Sequence, residues 1–358
     1  MKFSPKVIYW IAAAGFSVAV TLLLGELVCR ITGVGAANLT MTGPRHLYVP
    51  DPDPHIAFRQ RPDYQDFVYG AEVAINAQGL RDRESPYEKP EGTRRILILG
   101  DSVAFGYGVP VGDTFADQWE AFLNQKQPGG WEVINGGVPA YTTLQEVRWF
   151  EVEGQSYKPD AVVVAYVMND PEPVHQLAGD GTFVPQEIDR FYQEIAELFP
   201  SPVLPFTGHS SLARFLNRLV LYSHPNWLEI HRRLTHYFCE DVFQTPGWED
   251  CQAAFARLKV LCEERNVVLL VAVYPTMYRL FSEEEHPFQP HYHKVEETLA
   301  AMGVASVVPL DDYVGQSVDD MRAYADDPHP SARSHRIFAQ RLHREFQERW
   351  SEFDLPPW

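Results

Sequence analysis

From residue 95 to residue 350 the chain alternates short apolar runs with longer amphipathic stretches. RILILG (95–100) is apolar after its first residue and ends in glycine. Such a run fits a strand buried on both faces of a parallel sheet better than a half-exposed one. WEVING (131–136), AVVVAYV (161–167), VVLLVAVYP (267–275) and ASVVPL (305–310) repeat the theme. Between and after them, residues 113–126, 142–156, 247–265, 291–302 and 331–350 read as helices. Strands alternating with helices predict a parallel sheet covered on both faces.

Two regions break the alternation. Residues 31–93 are rich in Pro, Gly, Asp and Tyr, with extended patches such as DFVYGAEVAI (66–75). They predict a stalk that becomes a wrap of short strands and turns. Residues 171–246 form a long insert before the helix at 247–265. The insert holds Phe191, Tyr192, Phe199, Phe206, Phe215, Leu219, Tyr222 and Trp227, partly at helical spacing. Such a stripe predicts core; a substrate-covering lid or a surface facing a membrane or partner is the alternative. Residues 351–358 form a tail.

Ahead of the alternation stands a different pattern. Val7 to Gly25 is 19 residues without a charge. As a helix it spans about 28 Å, close to the hydrocarbon thickness of a bilayer. It is longer than the usual signal-peptide apolar region. Glu26, Leu27, Val28, Cys29 and Arg30 follow it and make a poor cleavage site. The expectation for residues 1–30 is an uncleaved signal anchor, with a cleaved signal or a buried core helix as the alternatives. Lys2 and Lys6 precede the span and favour a cytoplasmic N-terminus and an external body, a bias that Arg30 and Arg45 weaken. Glu26 and Arg30 are one helical turn apart, in the favourable acid-first order for pairing.

Charge narrows the partners. The 358 residues carry a formal charge of −18, and the 328 after residue 30 hold 27 bases against 47 acids. Phosphate binding needs dense Lys and Arg, so nucleic acid is a poor partner. Four cysteines without a CxxC pair argue against a disulfide scaffold and a zinc ribbon. Cys239 and Cys251 close a short loop and read either as a disulfide or as free buried thiols. EEEH (283–286) and PHYH (290–293) lack regular ligand spacing and predict an acidic, Pro-bent surface loop, with no metal. DPDPH (51–55) predicts a rigid turn.

The chemistry gathers where the strands end. Ligands of open parallel sheets bind beyond the carboxyl ends of the strands. Gly100-Asp101-Ser102 follows the first strand, Gly136-Gly137-Val138 the second and Asn169-Asp170 the third. Asp326 and His329 precede the last helix. A serine nucleophile needs a base, and the base an orienting group; Asp326 and His329 sit on one short loop stiffened by Pro328. Taken singly, Ser102 reads equally as a helix cap, His329 as a surface histidine, and Gly137 and Asn169 as turn residues. Together, the Ser102 and Gly137 N–H groups and the Asn169 amide are candidate donors to a developing oxyanion.

GDS (100–102), the glycine of NGGVPAY (135–141), the ND of YVMND (166–170) and DDPHP (326–330) resemble the four blocks of the SGNH, or GDSL-type, esterase/lipase superfamily, in matching order. The resemblance covers residues 94–350. Val167 stands where the third block usually has glycine, and Ser331 where an asparagine often follows HP. INAQGLRD (75–82) and the leader are similar to membrane-anchored bacterial members. The resemblance implies a flavodoxin-like three-layer α/β/α sandwich. It also implies Ser102 as nucleophile, His329 as base, Asp326 as its orienter, and Ser102, Gly137 and Asn169 as oxyanion donors. No cofactor is needed. The implied function is hydrolysis of an acylated glycan, lipid or small ester at a membrane surface. An O-acyltransferase and an accessory subunit of a membrane complex, with membrane-protein partners, are the alternatives.

Overall fold

The computed structural model describes residues 4–32, 46–68, 70–125, 129–178, 183–184, 210–213, 215–216, 227–282, 285–324 and 327–349. They fall into two compact units: residues 1–40 with 190–232, and residues 41–189 with 233–358.

In the first unit, Pro5–Thr32 is one helix of 28 residues. Its segment Tyr9–Ile31, 23 residues long, is long and apolar enough to cross a membrane. Arg30 Nε donates to Glu26 Oε1 at 2.6 Å, the acid-first pair the spacing predicts. Glu26 Oε2 also accepts the Ser210 hydroxyl at 2.8 Å and the Leu212 N–H at 2.9 Å. The Glu26 carboxylate thus caps the helical residues that begin at Ser211. Leu212 packs over Gly25, where a Cβ would stand 3.0 Å from its Cδ2. Most of the aromatic stripe of the insert lies outside the described residues.

The second unit is built on a five-stranded sheet. Its strands, here β1 (Arg94–Gly100), β2 (Trp131–Asn135), β3 (Ala161–Tyr166), β4 (Val268–Val273) and β5 (Ala305–Val307), lie in the order β2-β1-β3-β4-β5. Every pairing is parallel. This is the 2-1-3-4-5 order of a doubly wound α/β fold, with its switch point between the ends of β1 and β3. The apolar runs are explained by position: β3 is buried at every residue and β1 at all but its first. Two helix pairs flank the sheet, Phe115–Leu123 with Ala332–Arg349 and Thr143–Val152 with Pro246–Glu263. Phe338 stacks on Tyr274 at 4.2 Å and meets Phe115 edge-on at 5.0 Å, filling the layer beside the end of β4.

Short polar residues start these helices. Thr114, Thr245 and Ser331 each accept a first-turn N–H. Ser331, in the place where asparagine was expected, does so for the helix after His329. The segment from residue 46 to residue 93 wraps the sheet as hairpins Tyr48–Pro50/Phe58–Gln60 and Gln65–Val68/Ala71–Ala74. Tyr141 donates to Phe58 O at 2.6 Å, and Gln145 Nε2 to Ile56 O at 2.8 Å. DPDPH is the turn its composition predicts: Asp51 and Asp53 each accept the N–H two residues on.

One expectation is corrected. PHYH is not a surface loop but the first turn of the helix Gln289–Met302. His291 is fully buried there, 2.9 Å from Tyr166 Oη and 2.6 Å from Phe238 O. Pro290 suits the first turn, where its missing N–H costs nothing. All four cysteines are unpaired, with Cys251 and Cys262 buried in the helix Pro246–Glu263.

Candidate active site

The site forms where β1 ends. Gly100 leaves the strand under a helix of four residues, Ser102–Phe105. A Cβ on Gly100 would stand 2.6 Å from Ala104 Cβ and 3.3 Å from Ala165 Cβ, so no other residue fits. Asp101 caps the short helix, accepting the Val103 N–H at 2.8 Å through Oδ1. Its second oxygen, Oδ2, accepts the Asn169 amide at 3.2 Å and lies 3.2 Å from Ser102 Oγ. Asp101 is buried, and burial pushes its carboxyl above the ordinary range, against the pull of the Val103 N–H.

Ser102 Oγ lies 2.8 Å from His329 Nε2. His329 belongs to the strand Asp327–Pro330, which pairs with Arg322–Tyr324 as a small hairpin beside the helix Ser102–Phe105. A hydroxyl has one proton, and the shorter contact is to the imidazole. Asp326 lies outside the described residues, and Asp327 opens the strand.

Gly137 follows β2 and is pressed against the helix Ser102–Phe105. A Cβ there would stand 2.3 Å from the backbone nitrogen of Phe105. Its N–H donates to Asn135 Oδ1 at 3.0 Å, and its carbonyl accepts Gln60 Nε2 at 2.8 Å. Asn135 also donates through Nδ2 to Ala104 O at 2.7 Å, so one amide joins the glycine turn to the helix Ser102–Phe105. Ser102, His329, Asn169 and Gly137 are therefore assembled around one strand end. Sequence reading missed Asp101, Asn135 and Gln60. Asp101 carried a signal, since an acid just before a helical turn is a capping position. Gln60 carried none, because 77 residues separate it from Gly137.

Behind Ser102 lie two further buried acids. Asp170 Oδ2 accepts the Thr143 hydroxyl at 2.9 Å. Neither carboxyl oxygen of Glu146 has a hydrogen-bond partner among the described residues. Burial holds both carboxyls well above the ordinary range, Asp170 and Glu146 repel one another, and Asp101 adds to both. Among the described residues no group of three or more His, Cys, Asp or Glu is arranged to hold a metal ion.

Residues 98–231 match the model of the GDSL-like Lipase/Acylhydrolase family. The match supports an acyl hydrolase acting on esters. Solved structures to which this chain is similar include a lipase/acylhydrolase from Enterococcus faecalis (15% identical, 72% of this chain and 97% of that one covered, TM-score 0.41). The esterase EstA from a Pseudoalteromonas species is 12% identical over 72% of this chain and 99% of that one, at a TM-score of 0.40. The acetylxylan esterase Axe2 from Geobacillus stearothermophilus is 14% identical over 70% and 93%, at 0.41. No curated protein matches the sequence.

Proposed function

We propose that the protein is a serine esterase held at a membrane, acting on acylated glycans, lipids or small esters. The observation that carries this reading is the 2.8 Å contact between Ser102 Oγ and His329 Nε2 at the end of β1. In the proposed reaction the serine oxygen attacks the ester carbonyl carbon while its proton passes to Nε2. Asp326, three residues before His329, is the proposed orienter of the ring and keeps a proton on Nδ1. The tetrahedral intermediate places negative charge on the former carbonyl oxygen. The Ser102 N–H opens a helix and has no intrahelical acceptor, which suits it as one donor. The Asn169 amide is a second. Gly137 serves as a third when the oxyanion replaces Asn135 Oδ1 as the acceptor of its N–H. His329 then returns its proton to the leaving alcohol, and water repeats the sequence to release the acid.

The apolar segment Tyr9–Ile31 is the proposed anchor, with the N-terminus cytoplasmic and the second unit on the periplasmic or extracellular side. Such tethering would concentrate the enzyme near lipid-linked or envelope esters.

The test is fluorophosphonate labelling together with turnover of short- and long-chain esters. Ser102→Ala should abolish both and leave the melting temperature unchanged, because the hydroxyl contributes little to packing. Full activity in Ser102→Ala would overturn the reading, and acyl transfer to an added glycan hydroxyl would convert it to a transferase. N-terminal sequencing of the membrane fraction tests the anchor: a soluble mature chain starting after Gly35 would replace it with a cleaved signal.

A further inference from the structure

INAQGLRD (75–82) plays no part in the scheme above, yet it lies under the catalytic residues. Asn76 Oδ1 accepts the N–H groups of Gln78 and Leu80 at 3.0 and 2.9 Å, and its Nδ2 donates to Arg83 O at 2.9 Å. This side-chain turn aims Arg81 inward, where it is 1% exposed. Arg81 Nη1 donates to Phe105 O at 3.0 Å and to Gly106 O at 2.7 Å. Its Nη2 donates to Val109 O at 2.8 Å and to Glu72 O at 2.9 Å. One guanidinium thus gathers three carbonyls of the turn that leaves the nucleophile helix and ties them to the leader hairpin. Burial brings Arg81 down to about 10, opposed by Asp117, so it remains charged at neutral pH.

That turn touches the base. Gly106 takes a left-handed conformation, φ 82°, which reverses the chain. The Tyr107 N–H donates to Ser102 O at 3.0 Å. The Tyr107 ring then lies flat on the His329 ring, with centroids 4.0 Å apart and planes at 19°. Gly108 passes so close to the partner strand of the His329 hairpin that a Cβ would stand 2.9 Å from both Ala323 and Tyr324. The leader reaches the same hairpin directly, since the Tyr324 hydroxyl occupies the space a Cβ on Gly70 would need.

We propose that Arg81 and Tyr107 are positioning residues for acyl transfer: Arg81 sets the Phe105–Val109 turn, and Tyr107 on that turn holds the His329 ring in line with Ser102 Oγ. The inference rests on the reading of Ser102 as nucleophile and His329 as base. An imidazole has two soft torsions, and a ring stacked on its face restricts both. The same face is electron-rich and favours the imidazolium that forms as the serine loses its proton. The guanidinium fork is needed because a lysine cannot serve several carbonyls in fixed directions.

The full chain in detergent provides the test, with ester turnover and fluorophosphonate labelling read alongside thermal unfolding. Tyr107→Leu should lower kcat by roughly tenfold or more with KM within about twofold, because misplacing a base acts on the chemical step. Tyr107→Phe keeps the stack and should recover kcat to within about threefold of wild type. Arg81→Lys should lower both kcat and the melting temperature; since it perturbs folding as well, the Tyr107 pair decides. An unchanged kcat in Tyr107→Leu, a loss in Tyr107→Phe equal to that in Tyr107→Leu, or a change in KM alone would overturn the inference. A wild-type protein that neither labels nor hydrolyses would overturn the Ser102 reading, and this inference with it.

Discussion

The Asn169 amide donates to Asp101 Oδ2 across 3.2 Å, joining the end of β3 to the cap of the nucleophile helix. The residue proposed to stabilise the oxyanion is thus held by the residue that shapes the nucleophile turn. Asn169→Ala should lower kcat by about 100-fold with little change in KM, the signature of a donor used in the transition state. Asp101→Asn should cost less stability than activity. Asparagine still caps the helix through its carbonyl oxygen, but it sets an NH2 group where Oδ2 now accepts. Steady-state kinetics and thermal unfolding of the two variants check this, and a pure KM effect in Asn169→Ala would remove it from the oxyanion hole.

Gly137 is a packing requirement before it is a donor. Gly137→Ala would drive a Cβ to 2.3 Å from the Phe105 nitrogen, and the neighbour is backbone that cannot rotate away. Overpacking of this kind should destabilise by on the order of 3 kcal/mol. Denaturant unfolding of Gly137→Ala measures it; wild-type stability would show that the nucleophile helix can move aside.

Glu146 and Asp170 make stability depend on pH. Their folded carboxyls sit above the ordinary range through burial and mutual repulsion, so each binds its proton more tightly folded than unfolded. The stability they contribute is complete below the unfolded carboxyl range of about 4 and is lost as pH rises through the folded values. Glu146→Gln removes one such group. Its melting temperature relative to wild type should rise from pH 5 to pH 8. A constant difference across that range would show that Glu146 is ionised in the fold.

The thiols should behave as buried groups. Cys251 and Cys262 are each 1% exposed, and burial pushes both thiols upward, Cys262 to about 12. Neither should react with a thiol reagent until the protein unfolds, and mobility on a denaturing gel should be the same with and without reductant. A mobility change on reduction would show a disulfide, with Cys239 and Cys251 the pair to test first.

Much of the architecture is legible along the chain because it depends on local pattern. A strand buried on both faces must be apolar at nearly every residue, so β1 and β3 declare themselves, and their alternation with helices implies a parallel sheet. Short motifs at strand ends are legible for a similar reason: Gly100, Ser102, Gly137 and Asn169 each sit where a backbone turn meets the rim. Helix caps such as Thr114 and Ser331 were visible only as residue types, and the limits of their helices emerged with the fold. PHYH was misread because a proline and two histidines look like loop, whereas the first turn of a helix tolerates proline and a tertiary contact with Tyr166 buries His291.

What the sequence determined by itself was the order of the elements, the apolar segment at the start of the chain and the set of residues offered at the rim. Tertiary structure alone decided which of them meet. Ser102 and His329 are 227 residues apart, and only the packing of the hairpin Arg322–Pro330 against the nucleophile helix brings them to 2.8 Å. Arg81 looked like one charge in a polar leader. It became a buried clamp because the wrap carries it beneath the Phe105, Gly106 and Val109 carbonyls, and such a meeting leaves no local periodicity to read.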